Sequence, residues 1–465
     1  MKQISQSIQF DPELLNKYNQ PLPRYTSYPP ATELSPEFHT EAFRAAIAIG
    51  NHKKTPLSLY CHIPFCETPC YFCGCNTVIT KHKAVAEPYL GYLSRHIRQM
   101  AQLVSRDRLV QQLHWGGGTP NYLSLDQVQF LWDELNQSFQ FDPDAEISIE
   151  VNPAYLDRDY LLALRQIGFK RISFGIQDFN PQVQEAVNRV QPEAHLFNVM
   201  DWIREAGFES VNVDLIYGLP YQTLETFQET IQKTVQLNPD RIAVFNFAYV
   251  PWMKPIQKRL PVDALPDAEE KLRILQMVGD HLTHHGYVYI GMDHFAKPGD
   301  ELAIAQQAGT LHRNFQGYTT KPESDLLGFG VTSISMLQDV YVQNHKLLKE
   351  FYGALDAEEL PIAQGIQLTQ DDQIRRTIIM ELMCEFQLSM PELERKYHLG
   401  FDLDFNDYFE YELPLLDALE ADGLLKRWSD GIEVTLKGRL LIRNIAAVFD
   451  KYLRQKAKVA FSRSI

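Results

Sequence analysis

The chain has 465 residues and only six cysteines. Thiols this sparse, one of them (Cys384) far from the rest, argue against a disulfide framework. Long apolar runs are missing too. Nothing approaches the ~18 consecutive apolar residues of a membrane span, and the N-terminal MKQISQSIQFDPELL lacks the apolar core of a secretory leader. Positive charge is in deficit: 44 Lys and Arg stand against 59 Asp and Glu, for a formal net charge of −15. A protein of that sign has no general affinity for nucleic acid or anionic membrane. These absences predict a cytoplasmic protein with neither as a partner. The length suits two to three domains.

Against this background the cysteines are concentrated. Five of the six lie in Leu59–Thr80, LYCHIPFCETPCYFCGCNTVIT. An apolar, strand-like run ending at Ile63 leads into the loop. Cys66, Cys70 and Cys73 make a C-x3-C-x2-C pattern, with Cys75 just beyond and Cys61 just before. Three thiolates on a short loop suit one face of a [4Fe–4S] cube, whose fully protein-held form takes four Cys. Three ligands leave one iron open, as catalytic metal sites leave a position for substrate. A zinc knuckle needs a second Cys or His pair at set spacing, and neither His62 nor His82 provides it. Cys61 alternates with its strand neighbours and reads as a core cysteine.

From 56 to about 295, short apolar strands near 57–63, 110–115, 146–151, 171–176, 211–217, 242–249 and 287–292 alternate with helical stretches such as Ala84–Val104, Leu125–Phe139, Leu196–Ala206 and Leu224–Val235. Alternation with buried strands predicts a parallel α/β sheet. Gly168, Gly207 and Gly286 each stand where a helix ends, a position that favours positive φ. Polar groups recur at the strand ends, where barrel enzymes carry their catalytic residues. They include Tyr60, Thr119, Glu150, Gln177 and Asp214, with the glycines Gly116, Gly117 and Gly118 and the small Ala248 at the same end. Read singly, the glycine run is also a turn, Glu150 a rim salt bridge, and Arg189 with Asp214 an ion pair.

The flanks are less periodic. Residues 1–55 form a lead-in containing a stiff Arg24–Pro30 segment, RYTSYPP, which by itself reads as a surface arm. Residues 56–295 are the barrel, 296–365 an extension and connecting segment, and 366–465 a mostly helical domain. In that last domain Arg375–Phe386 and Asp407–Asp422 have helical periodicity, and Leu424–Trp428 with Ile432–Val434 reads as a hairpin. Helices followed by a hairpin suggest a winged-helix-like packing module.

The triplet with an aromatic before its third cysteine, Phe72, resembles the radical S-adenosylmethionine (SAM) enzymes. The longer string HIPFC-x3-CYFCGCN, the RYTSYP arm and HRNFQGYT at 312–319 resemble the oxygen-independent coproporphyrinogen III oxidases among them. The likeness runs from RYTSYP, which it implies is an arm lying near the active site, to Arg454-Gln455-Lys456-Ala457. It implies a partial TIM-type, (β/α)6-like radical SAM barrel and a [4Fe–4S] cluster on Cys66, Cys70 and Cys73. It also implies two SAM molecules. Gly117 and Glu150, flanked by Tyr60 and Ile334, go to the first, and Phe72, Gly118, Thr119, Gln177, Arg189, Asp214 and Ala248 to the second. Cys75 and Tyr60 take catalytic places. Arg313 is either a contact for the porphyrinogen or part of a structural salt bridge. The implied reaction is oxidative decarboxylation of coproporphyrinogen III by a monomer that draws on an electron donor such as flavodoxin or ferredoxin. Two other readings stay open, a haem-trafficking relative without this reaction and a non-catalytic iron–sulfur or zinc module.

Overall fold

In the computed structural model, which describes residues 8–398 and 404–455, the chain divides into two compact units. One comprises Leu34–Pro266 with Glu323–Gln367, and the other Met1–Glu33, Asp267–Pro322 and Leu368–Ile465. The first seven residues of the leader reading, and Lys456-Ala457 at the end of the family likeness, lie outside the described residues.

The first unit is built on a sheet. Strands β1 (Leu57–Ile63), β2 (Val110–Gly117), β3 (Phe141–Val151), β4 (Arg171–Gln177), β5 (Ser210–Tyr217) and β6 (Arg241–Asn246) pair in that order, all parallel. Helices Ala86–Ala101, Leu125–Ser138, Arg158–Ile167, Glu193–Ala206 and Leu224–Leu237 make the crossovers, so the first six expected strands are present in βα alternation; the seventh, expected near 287–292, is instead Val288–Gly291 of the second unit, paired antiparallel with His294–Ala296. Their ends are written in the sequence. Ser124 and Thr223 start helices with capping boxes, and Gly207 ends one at φ +80°. In β1 the side chains of Leu57, Leu59, Cys61 and Ile63 are fully buried, each apolar one contributing about 1.5–3 kcal/mol. Cys61 is the core cysteine expected, and burial pushes its thiol pKa well up.

A seventh parallel strand joins from far along the chain. Strand β7 (Asp325–Phe329) pairs with the other edge of β1, Leu57 opposite Asp325 and Cys61 opposite Phe329. Strands β8 (Ile334–Leu337), β9 (Val340–Asn344) and β10 (Ile362–Gln367) continue outward antiparallel. The strands of this unit therefore run β10-β9-β8-β7-β1-β2-β3-β4-β5-β6, with β1 in the interior. One ion pair holds the junction. Arg108 and Asp325, 2.5 Å apart, have side chains 0% and 2% exposed. Arg108 also donates to the Thr55 carbonyl (2.7 Å) and to Asn51 Oδ1 (3.2 Å).

In the second unit the Arg24–Pro30 segment is not a surface arm. Tyr25 and Tyr28 are buried, and Tyr25 Oη donates to Asp450 Oδ2 at 3.0 Å. Arg443 donates to the carbonyls of Pro23 and Leu22, and Arg24 pairs with Asp293. Proline made the segment stiff, but its alternate aromatics give it a core face. Helix Gln370–Glu385 and the hairpin of Leu425–Trp428 with Gly431–Val434 form as expected, and Gln387–Ser389 adds a third strand. The single helix expected over Asp407–Asp422 is instead three pieces, Phe405–Tyr408, Leu413–Leu416 and Asp417–Ala421. Pro414 cannot donate to the preceding turn and clashes with it. Arg313 is 4% exposed, lies 4.6 Å over the Tyr318 ring and forms no ion pair among the described residues, so the structural salt bridge offered for it is not made.

Candidate active site

The C-terminal ends of the parallel strands open into a cavity of about 480 Å³, within the roughly 300–1,000 Å³ usual for ligand sites. The loop after β1 contributes Cys66, Cys70, Phe72, Cys73 and Cys75 to its wall. The turn after β2 contributes Gly117, Gly118 and Thr119, later strand ends contribute Glu150, Gln177 and Asp214, and the connection after the short helix Pro181–Ala186 contributes Arg189. Twelve of the expected residues thus share one space. Tyr60, Ala248 and Ile334 are not on its wall. Tyr60 lies just behind it, Ala248 offers its carbonyl to Gln257 Nε2 at 3.2 Å, and Ile334 begins β8.

The glycines are demanded by packing. Gly117 has φ +117°, and a Cβ there would come 2.7 Å from the His62 ring. A Cβ on Gly118 would come equally close to the Pro64 backbone. The run lets β2 and the thiol loop touch, which a simple turn would not require.

Each motif thiol has a polar neighbour. Thr119 Oγ1 lies 3.2 Å from Cys66 Sγ, Arg189 Nη1 donates to Cys70 Sγ at 3.5 Å, and the Cys75 N–H donates to Cys73 Sγ at 3.4 Å. The Cys75 thiol hydrogen bond, together with that N–H, lowers the Cys73 pKa to about 6 against the upward push of burial, whereas burial raises Cys66 to about 11. Among the described residues no three Cys, His, Asp or Glu side chains are grouped to hold a single ion. A cube places each thiolate on its own iron, and three separate thiols along one wall, each near a donor, fit that requirement.

The carboxylates are of two kinds. Burial works to raise the pKa of Glu150, but His114 Nε2 at 3.2 Å and the Gly117 N–H at 3.3 Å outweigh it and hold the group below its ordinary range. Although Glu150 lies deep at a strand end, its side chain is 47% exposed because it faces the cavity. Asp214 is pushed up to about 7, chiefly by burial and further by Glu150; the Asn212 side chain at 2.8 Å only partly offsets this. Arg189 and Asp214 form no ion pair, since Arg189 Nη2 donates instead to the Gly175 carbonyl at 2.9 Å. Arg189 Nε and Gln177 Oε1 are buried without protein partners. Orphaned polar atoms in a cavity wall are positions a bound ligand can satisfy.

Tyr60 is set by its neighbours. Its ring stacks on His114, and its Oη lies 3.1 Å from His62 Nδ1. His62 Nε2 faces the Asn76 carbonyl at 3.2 Å. A carbonyl can only accept, so Nε2 carries the proton and Nδ1 accepts from the phenol. Burial holds His62 below its ordinary pKa, consistent with that neutral ring. In the sequence His62 figures only beside the thiol loop, as an unsuited zinc partner, and His114 was not foreseen. Neither were Lys254 and Gln257, which reach the thiol loop from beyond β6 and belong to no motif.

The Radical SAM superfamily profile matches residues 60–234, and that of the HemN C-terminal domain matches 368–441. The oxygen-independent coproporphyrinogen III oxidase of Synechocystis sp. is 68% identical over 99% of both chains, and that of Escherichia coli is 50% identical over 99% of both. The chain belongs to the oxygen-independent coproporphyrinogen III oxidase family. It is accordingly a radical SAM oxidoreductase, and its fold agrees with a solved relative. The structure described as "Coproporphyrinogen III oxidase (HemN) from Escherichia coli is a Radical SAM enzyme" superposes with a TM-score of 0.91 at 49% identity, covering 96% of this chain and all of that one. Membership in the superfamily implies a [4Fe–4S] cluster and SAM, which suits the thiol loop and the orphaned polar atoms of the cavity. No helix among the described residues is long and apolar enough to cross a membrane.

Proposed function

We propose that this oxidase decarboxylates two propionates of coproporphyrinogen III to vinyl groups, giving protoporphyrinogen IX in haem biosynthesis, and that it uses two SAM molecules. The observation that carries the reading is the meeting of the three-thiol loop, the glycine turn with Glu150, and the Gln177, Arg189, Asp214 group in one cavity. The propionate β-hydrogen is unactivated, so no side-chain base in the cavity can remove it near neutral pH. When bound, the cluster and SAM would supply the radical that takes this hydrogen; carbon dioxide would then leave and one further electron pass to an external one-electron acceptor.

The chain's own residues hold the parts in place. Cys66, Cys70 and Cys73 hold the cluster. Gly117 gives the first SAM close access to backbone, and Glu150, kept ionised, accepts from its amino group. Tyr60 and Ile334 flank that position. Arg189 offers its unpaired N–H to a second methionyl carboxylate, Gln177 and Asp214 face ribose hydroxyls or the amino group, and Phe72, Gly118, Thr119 and Ala248 complete the second site. Cys75, on the wall but outside the ligand triplet, stands near the reacting groups. The protein works as a cytoplasmic monomer with a one-electron donor protein. Residues 1–55, 56–295, 296–365 and 366–465 serve as lead-in, barrel, extension and helical domain, the last a winged-helix-like packing module.

The test is an anaerobic assay of the reconstituted protein with coproporphyrinogen III, SAM and dithionite. It should give protoporphyrinogen IX with two methionines released per product. SAM cleavage without any vinyl product would return the chain to the haem-trafficking reading.

A further inference from the structure

Between Asp240 and Asp263 this acidic chain has no Asp or Glu, and Lys254, Lys258 and Arg259 fall close together. The segment that carries them leaves β6 and clasps the thiol loop at three places. Lys254 Nζ donates to the Cys75 carbonyl at 3.1 Å, Gln257 Nε2 donates to the Phe72 carbonyl at 3.3 Å, and the Arg259 guanidinium lies 5.6 Å from the centre of the Tyr71 ring. Gln257 is buried, and its Oε1 accepts from the Val250 N–H at 2.6 Å, so the clasp is anchored from within. Its outer side is different. Trp252 is 64% exposed there, and Lys258 and Arg259 are exposed nearby in the chain, whereas Met253, 63% exposed, lines the cavity.

Aromatic side chains are enriched in protein interfaces, and cations at a rim steer partners of opposite sign. A local reversal of charge on a protein of net −15 is therefore selective. It attracts an acidic protein that the rest of the surface repels. A two-fold contact between copies of this chain fits poorly, because it would bring the same cations together. The position decides what the partner carries. The segment touches the loop between and just after the motif cysteines, so a protein seated on it stands over the cluster side of the cavity.

We propose that Tyr249–Leu260 is the docking surface for a small acidic one-electron carrier, with Trp252 as its apolar anchor and Lys258 and Arg259 as its charged rim, while Met253 and Lys254 line the cavity beside it. One electron leaves the carrier, which is oxidised by one electron. The cluster held by the clasped loop is reduced by one, and no proton or leaving group moves. This rests on the reading of the loop as a redox cluster site.

Trp252 and Lys258 are off the cavity wall, so their variants can separate docking from chemistry. Trp252→Ala and the charge reversal Lys258→Glu are compared with the unaltered reconstituted protein. The first readout is binding of oxidised flavodoxin, an acidic flavin carrier, by biolayer interferometry at low and moderate salt. The second is SAM cleavage driven by reduced flavodoxin or by dithionite. Charge reversal should weaken binding and raise the flavodoxin KM by about tenfold or more, and flatten the salt dependence. Trp252→Ala should weaken binding severalfold with the salt dependence kept. Dithionite-driven rates should stay within about twofold in both. Flavodoxin affinity and KM unchanged in both variants, or no flavodoxin binding by the unaltered protein at low salt, overturns the proposal. Variant-sensitive binding in a protein that cleaves no SAM with dithionite would support the docking surface and overturn the cluster reading instead.

Discussion

The thiol loop divides labour among neighbouring residues of one type. Replacing Cys66, Cys70 or Cys73 with Ser should remove the cluster and SAM cleavage together, read by iron content and 5′-deoxyadenosine release. Cys75→Ser should keep iron yet lose most porphyrinogen turnover, because its thiol shares the cavity without belonging to the triplet. Asp214 gives a pH dependence whose sign is fixed. Its carboxyl holds a proton more tightly folded than unfolded, so the free protein loses stability as pH rises from 3.8 to about 7. In the folded protein the carboxylate appears around pH 7, and a ligand donating to it then binds better. Equilibrium dialysis should show SAM binding at the second site strengthening from about pH 6 to about pH 8, and Asp214→Asn should abolish that slope. Arg189→Ala should lose the second SAM while keeping iron and the first. The motif cysteines, Glu150 and Asp214 were legible because strand alternation marks strand ends and strand ends mark a mouth. His62, His114 and Gln257 were not, because each acts by touching a partner whose distance along the chain no pattern encodes.

Among the elements, the parallel strands were legible because each is short, apolar and bounded by turn or cap residues. Strand β7 was not. Leu326, Leu327 and Phe329 are interrupted by Gly328, whose missing Cβ allows the Ile334 backbone to come within 2.6 Å of where it would stand. Nothing local says that this stretch pairs with β1. The buried Arg108–Asp325 pair fixes that junction, and its value is in specifying it, since burying two charges is costly in itself. Arg108→Ala should destabilise the protein by about 3–5 kcal/mol in chemical denaturation, since it leaves Asp325 buried alone. A second change, Asp325→Ala, should recover part of that loss. Full additivity of the two would show that the pair is not coupled.

For the whole molecule, the resemblance identified the right family over nearly the full chain, while composition alone excluded much and assigned little. The N-terminal segment shows the limit of reading proline as surface. RYTSYPP is extended, as its prolines require, but Tyr25 and Tyr28 are buried against residues more than four hundred positions later, a pairing that no window of sequence contains. Removing residues 1–30 should spare the iron content and abolish protoporphyrinogen formation. Tyr25→Phe, which leaves the buried Asp450 one donor short, should cost about 1–3 kcal/mol. Wild-type turnover in the truncated protein would make the segment dispensable.

The pairing of β1 on both sides has a consequence for biosynthesis. Its first neighbour, β2, is complete by residue 117, but its second, β7, is not made until residue 329. During translation the strand that feeds the thiol loop therefore waits with one edge unpaired, a template for unwanted strand addition, while about two hundred more residues are added at ~5–20 residues per second. The nascent chain thus exposes its most oxidisable loop for tens of seconds before the frame around it can close. Iron delivery that follows release from the ribosome would meet a finished frame, and delivery before it would meet half of one.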